Sequence, residues 1–204
     1  TRVENGQVIS VAIDMVPSFV FDTGCGLDLP GFGRVPVDLV CVGGFFAMVS
    51  AGDLGVELVA ANSRVLIPLG MEIIAAANQV FRVHHPERPE VSSVDVTEFY
   101  EDLPLKGNGR SVVVYGESHM DRSPCGTGTT AKMTLLHHRG ELAVGEAYRN
   151  ASPLGTVFDG RINKTVKIGP FDGIVGQIRG NAQITGWHQF VVDPKDPFPK
   201  GFLL

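Results

Sequence analysis

The run Asp121-Arg122-Ser123-Pro124-Cys125-Gly126-Thr127-Gly128-Thr129 sets one of only 3 cysteines directly ahead of two glycines and two threonines. Behind it, Ala131 and Leu135 fall on one helical face and Gly140 is a good stop, so Thr130–Arg139 is predicted to be a short helix. Cys125 would stand just before its first turn. Backbone N–H groups at a helix start have no internal partner, and together with the helix dipole they favour a negative charge. Two anions suit that field. One is the Cys125 thiolate, whose pKa a helix N-terminus lowers. The other is a ligand carboxylate held by the amides from Gly126 to Thr129, with Gly126 and Gly128 letting backbone and ligand come close. Taken alone, Cys-Gly-Thr-Gly reads equally well as a turn and N-cap around a small buried cysteine. A phosphate-binding loop is a weaker reading, because the Gly-Lys-Ser/Thr ending is absent. Asp121, four residues before the cysteine, suits either a substrate ammonium or an Asx turn. Arg122 reads as a structural ion-pair partner.

The elements that must position this loop are mostly strands. Asn5-Gly6 is a strong hairpin turn, followed by the alternating Ile9, Val11 and Ile13 of a half-buried strand. Ser18–Phe21 is a short apolar strand, and Val35–Val42 and Phe45–Val49 are two more, bent at Gly43-Gly44. The period then changes. Ile73, Ile74, Ala77, Val80 and Phe81 predict a helix over Met71–Phe81, with Pro68 opening it or interrupting a longer one. Strands are expected again at Val91–Val96 and Ser111–Tyr115, and Asp159-Gly160 and Asp172-Gly173 read as hairpin turns. Many strands with two helices argue for an α+β fold rather than a doubly wound sheet.

Composition narrows the function classes. The formal net charge is -5 with no basic block, which argues against nucleic acid. No apolar run reaches membrane-spanning length, since Asp38, Gly43 and Gly44 break the stretch from Val35 to Val49. Three unpaired-looking cysteines without zinc spacing point to a reducing, cytoplasmic setting. The histidines are scattered and no pair shares a helix face with a carboxylate, so no metal site is expected.

The string from Asp121 to Thr129 resembles the second-cysteine motif of the proline racemase family, which includes 4-hydroxyproline 2-epimerases. The resemblance extends through Val16-Pro17-Ser18-Phe19-Val20, through Gly43-Gly44 and its aromatics, through His85-Pro86-Glu87, and through Ile184-Thr185-Gly186-Trp187-His188-Gln189-Phe190. It covers essentially all 204 residues. It implies a cofactor-independent isomerase in which one thiolate removes the α-proton of the substrate from one face and a second thiol returns a proton to the other. By position, Cys125 matches the second catalytic acid/base, Asp121 the residue near the substrate nitrogen, and Gly126 and Thr127 the carboxylate-binding amides. Tyr115 matches a pocket-wall residue, and His119 would edge the same pocket. The implied fold is α+β, a mixed sheet wrapped around a central helix. It would be one of the two pseudo-symmetric domains of the diaminopimelate epimerase-like fold, plus remnants of the other.

The sequence departs from the family pattern in one respect. The first catalytic cysteine stands in a Met-Cys-Gly-His motif, which is absent here. Cys25 lies between two glycines, but by its distance from Val-Pro-Ser-Phe it aligns with a strand–turn segment, and Cys41 lies in a strand pattern. The resemblance therefore implies that residues 1–16 end a first domain, that residues 17–183 form the second, and that residues 184–204 return to the first. The tail's Val191, Val192, Phe198 and Phe202 would then be loosely ordered or free to pair with another chain, as in a homodimer. With one thiol, these 204 residues by themselves are expected not to racemise. The related trans-3-hydroxyproline dehydratases typically carry threonine where Cys125 stands, which argues against that lyase branch. A non-catalytic relative that binds small amino acids is the remaining alternative.

Overall fold

In the computed structural model, which describes residues 1–202, eleven strands form one sheet that closes on itself. The chain opens with β1 (Arg2–Glu4) and β2 (Gln7–Asp14), joined at Asn5 and Gly6, whose φ values of 49° and 75° fit a two-residue type I′ turn. β3 (Ser18–Leu29), β4 (Gly33–Val42) and β5 (Gly44–Ser50) follow as antiparallel neighbours. α1 (Ala51–Leu54), a 3-10 turn and α2 (Ser63–Val80) lead to β6 (Val94–Asp102), which lies parallel to β5. Then come β7 (Asn108–Tyr115), the short β8 (His119–Met120), α3 (Gly126–His138), β9 (Ala147–Ala151), β10 (Val157–Ile168) and β11 (Phe171–Gly180). The order β11-β10-β9-β7-β6-β5-β4-β3 becomes a ring where β11 pairs with β3, and the expected mixed α+β sheet around a central helix is what forms.

α3 is that central helix. Gly128 through Leu136 are all buried, although the segment is half polar. Its hydroxyls stay paired. Thr134 shares a 2.8 Å hydrogen bond with Ser18 of β3, and Thr130 and Thr134 also donate back to the carbonyls of Gly126 and Thr130. Ala131 and Leu135 pack with Val20, Val40 and Met48 on one side, Met133 and Leu136 with Ile162 and Ile174 on another. A helix enclosed on all sides has no solvent face, so amphipathic spacing is not required of it.

α2 covers the outer face of the sheet through Leu66, Leu69, Ile73 and Ala77. It is longer than the predicted Met71–Phe81, and Pro68 lies inside it. The apolar spacing runs straight through the proline, and burying that stripe outweighs a lost backbone bond that costs about 3 kcal/mol in an isolated helix. The stretch Ala60–Val80 is long and apolar enough to cross a membrane by length and composition, more than the sequence pattern suggested, but its apolar stripe is spent on the core.

Other expectations are corrected. Asp159-Gly160 and Asp172-Gly173 are not turns; both lie within strands, and the β10–β11 hairpin turns at Gly169-Pro170. The glycines answer to packing. A Cβ on Gly160 would come within 2.7 Å of the Met133 sulfur on α3, and one on Gly173 would run into the Ser18 carbonyl oxygen where the ring closes. Gly173→Ala is therefore expected to lower stability by about 1–3 kcal/mol, read as an earlier urea midpoint, because the obstruction is backbone and cannot rotate away. The strand expected at Val91–Val96 is displaced to Val94–Asp102. Ile9, Val11 and Ile13 on β2 stay 39–55 % exposed rather than half-buried, since β2 extends the sheet at β11 outside the ring. Residues 181–202 form no helix or strand, and Trp187 and Phe190 are each 90% exposed. The last two residues of the expected tail, Leu203 and Leu204, lie outside the described residues.

Candidate functional site

The loop from Asp121 to Cys125 holds itself in place by a chain of local hydrogen bonds. The Asp121 amide donates to Val113 of β7, which anchors the loop to the ring. Asp121 Oδ1 accepts the Ser123 amide at 2.8 Å, and Ser123 Oγ accepts the Cys125 amide at 3.0 Å. Asp121 thus forms an Asx turn, with one carboxylate oxygen committed to it. Arg122 forms no ion pair among the described residues; the expected structural partnership is not made.

α3 starts four residues earlier than the predicted Thr130, so Cys125 is its N-cap rather than a neighbour of it. The cysteine sits at φ 58°, ψ 120°, a conformation a side chain rarely adopts and one that costs about 1–3 kcal/mol. That bend turns the sulfur back over the helix end. Sγ lies 3.4 Å from the Gly128 amide, which donates to it, and 3.3 Å from the Thr127 hydroxyl. The first helical bond runs from the Thr129 amide to the Cys125 carbonyl at 2.9 Å. The Gly126 and Thr127 N–H groups precede it and have no acceptor within the helix.

The thiol is half-buried, not sealed in the core. Burial pushes it up to about 11, and the nearby Glu98 and Asp121 carboxyls add to the rise. The Thr127 hydroxyl and Gly128 amide pull the other way and lose. The lowered thiol expected from the helix N-terminus is thus reversed by desolvation; at neutral pH Cys125 rests as a thiol, a proton donor. Cys25 and Cys41 are also pushed up to about 11, mainly by burial, and both pack in the cluster on the outer, α2 side of the sheet. Neither faces Cys125, which packs on the inner cluster.

Gly126 and Gly128 prove unlike each other. A Cβ on Gly126 would meet only Met15, at 3.6 Å, so that glycine leaves open space at the helix mouth. A Cβ on Gly128 would stand 2.8 Å from Val113 Cγ2, 3.2 Å from Glu98 Oε2 and 3.3 Å from Cys125 Cβ. Its smallness serves packing against β6 and β7 rather than ligand approach. Tyr115 lies two residues beyond Val113 on the same face of β7, 42% exposed, and stacks on His119 with ring centroids 5.9 Å apart. The clefts around Leu136, Gly140 and Tyr148, and around Asp38 and Arg139, lie toward the other end of α3 and do not include Cys125.

Three supporting residues were not apparent from sequence. Asn150 of β9 is buried, and its Nδ2, with two N–H groups to donate, lies 3.1 Å from the Pro124 carbonyl, 3.0 Å from Thr129 Oγ1 and 2.7 Å from Ser111 Oγ, tying the loop to two strands. Ser111 is the second, and Glu98 of β6 the third. Glu98 is in phase with Val96 and Tyr100, on the face that the alternation of the strand assigns to the interior, and that was a readable signal.

The match to known proteins follows this geometry. The proline racemase family model matches residues 1–203. The chain belongs to the proline racemase family. It is 38% identical over 203 residues to the proline racemase of Clostridioides difficile and 35% identical over 201 residues to 4-hydroxyproline 2-epimerase 1 of Rhizobium rhizogenes. These alignments take in 99% and 98% of this chain but 61% and 58% of the relatives, so the chain spans about three-fifths of their length. The crystal structure of a hydroxyproline epimerase from Agrobacterium vitis, with bound trans-4-OH-L-proline, superposes with a TM-score of 0.90 at 31% identity, over 100% of this chain and 58% of that one.

Proposed function

We propose that this chain carries one acid/base half of a cofactor-independent racemase or epimerase that inverts the α-carbon of proline or 4-hydroxyproline. The observation that carries the reading is the Cys125 thiol turned over the open N-terminus of α3, within a fold shared with an epimerase that holds trans-4-OH-L-proline.

The Gly126 and Thr127 amides take the substrate carboxylate. The Asp121 oxygen not used by Ser123 accepts from the substrate nitrogen. Tyr115 and His119 wall the ring side. Cys125 then faces the α-carbon. As a thiol it delivers its proton there; as a thiolate, in the reverse direction, it removes one. When the C–H bond breaks, its electron pair spreads into the carboxylate, and amide dipoles already aimed at that group stabilise the developing charge without reorganising. Inversion needs a second acid/base on the opposite face. Cys25 and Cys41 are on the wrong side of the sheet, so that group comes from outside these residues. On this reading residues 1–16 and 184–204 belong with the unit that supplies it, and residues 17–183 are the Cys125 unit. The three free cysteines support a reducing, cytoplasmic setting.

The test is inversion in D2O. The protein bearing both acid/base groups is expected to convert L-proline or trans-4-hydroxy-L-proline to its 2-epimer with deuterium at the α-carbon, and the 204 residues alone are expected to give none. Inversion by the 204 residues alone would refute the division of the site. Failure of the two-group protein to invert either amino acid would remove the function.

A further inference from the structure

Behind the first turn of α3 lies a carboxyl group that the proton transfer does not use. The Glu98 side chain is fully buried inside the ring, and neither of its oxygens has a hydrogen-bond partner among the described residues. Oε2 reaches to within 3.2 Å of where a Gly128 Cβ would be, and Cys125 Cβ lies 3.3 Å from the same point. The obvious counter-ion is engaged elsewhere. Lys132 of α3 is buried, yet its Nζ pairs with Asp102 at 3.0 Å and lies 3.8 Å over the Tyr100 ring. An unpaired, fully buried carboxylate is costly, and such a group keeps its proton instead. Burial accordingly pushes Glu98 up to about 8, with the Ser111 hydroxyl of β7 and the Lys132 charge opposing it. The other ionisable groups facing it are Cys125 at the helix cap and Tyr148 of β9, both pushed up mainly by burial, with an ionised Glu98 adding to the rise.

We propose that Glu98 is a positioning residue for Cys125: held neutral, it leaves the N–H field of α3 to the thiolate and to an incoming carboxylate, and once ionised it turns that field against both. The substrate half of this inference rests on the racemase reading; the thiol half does not. Cys125 and Glu98 then titrate as a coupled pair. Below about pH 8 Glu98 is neutral. Above it, each increment of Glu98 charge makes the thiol harder to ionise, so thiolate accumulates more slowly than one proton per pH unit allows. The packing of Gly128 against Glu98 is what brings the two this close, which gives the second glycine of the motif a reason of its own.

The test is alkylation of Cys125 by iodoacetamide across pH 7 to 10 in the chain and in Glu98→Gln, with Cys25 and Cys41 replaced by serine and alanine in both. Wild-type rates are expected to rise with a slope well below tenfold per pH unit above pH 8. Glu98→Gln is expected to restore the full slope and to react about tenfold faster at pH 9.5, the effect of removing one like charge at this range. Glu98→Met, which removes charge and polarity while filling the same volume, should behave like Glu98→Gln. It guards against a folding defect, because a buried unpaired carboxyl is often replaced by an apolar group without loss. Superimposable profiles for all three proteins, or slower alkylation in both variants, would overturn the proposal. Alkylation does not depend on turnover. Coupling without inversion leaves Glu98 tuning a thiol and removes the racemase; inversion without coupling removes Glu98 alone.

Discussion

On the proposed reading, Cys125→Ser in the two-group protein is expected to lower kcat/KM for inversion by about 10²- to 10⁴-fold, the range for removal of a positioned acid/base. Serine keeps the shape of the cap and can still accept the Gly128 amide, so α3 and the ring should be unaffected by circular dichroism. The chemistry is lost because a hydroxyl is a far weaker acid than a thiol. On that reading the Cys125 thiol, which burial raises to about 11, exchanges protons with a carbon acid, and an alcohol cannot approach that range. Binding should survive. The Gly126 and Thr127 amides do not need the sulfur, so pyrrole-2-carboxylate, a planar mimic of the flattened α-carbon, is expected to bind the variant with a Kd within about threefold of the parent, a difference under 1 kcal/mol. Calorimetry reads that directly. A variant that still inverts proline at more than a tenth of the parental rate would place the proton transfer on another group.

Gly128→Ala is expected to be the most damaging change among the residues that do not touch substrate. Its Cβ would need the space of Val113 Cγ2, 2.8 Å away, with the Glu98 carboxyl and the Cys125 Cβ close on its other sides. Val113 is in the ring wall, paired in register with Glu98 of β6, and cannot recede without moving both strands. The helix end must move instead. Overpacking of this kind costs about 1–3 kcal/mol of stability. On the proposed reading, a shift of about 1 Å at the Cys125 sulfur is expected to cost about 10²-fold in rate. Val113→Ala should relieve the obstruction, so the double variant is expected to recover more than half of the lost stability. If Gly128→Ala has a parental urea midpoint and parental kcat/KM, the close packing of α3 on β6 and β7 is not what aligns the sulfur. The contrast with Gly126 is informative: an alanine there meets only the Met15 side chain and should leave stability within about 0.5 kcal/mol.

The two glycines of one motif illustrate how far sequence reaches. Local features were readable because local physics sets them. Asn5-Gly6 makes a turn since both residues tolerate positive φ, and the cysteine before Gly-Thr-Gly caps a helix since the orphan amides there need an acceptor. The extended match around Cys125 placed the chain in its family for the same reason: a loop that bonds to itself, residue after residue, must keep its residues in order. What sequence could not show was everything decided by a partner far along the chain. Asp159-Gly160 and Asp172-Gly173 look like turns in isolation, but their glycines make room for Met133 and for Ser18. The alternation along β6 put Glu98 on the inner face, yet only the closed ring buries that carboxyl fully. The helix dipole alone argued for a thiolate at Cys125; the bulk packed around it, which no spacing records, is what keeps the proton on the sulfur.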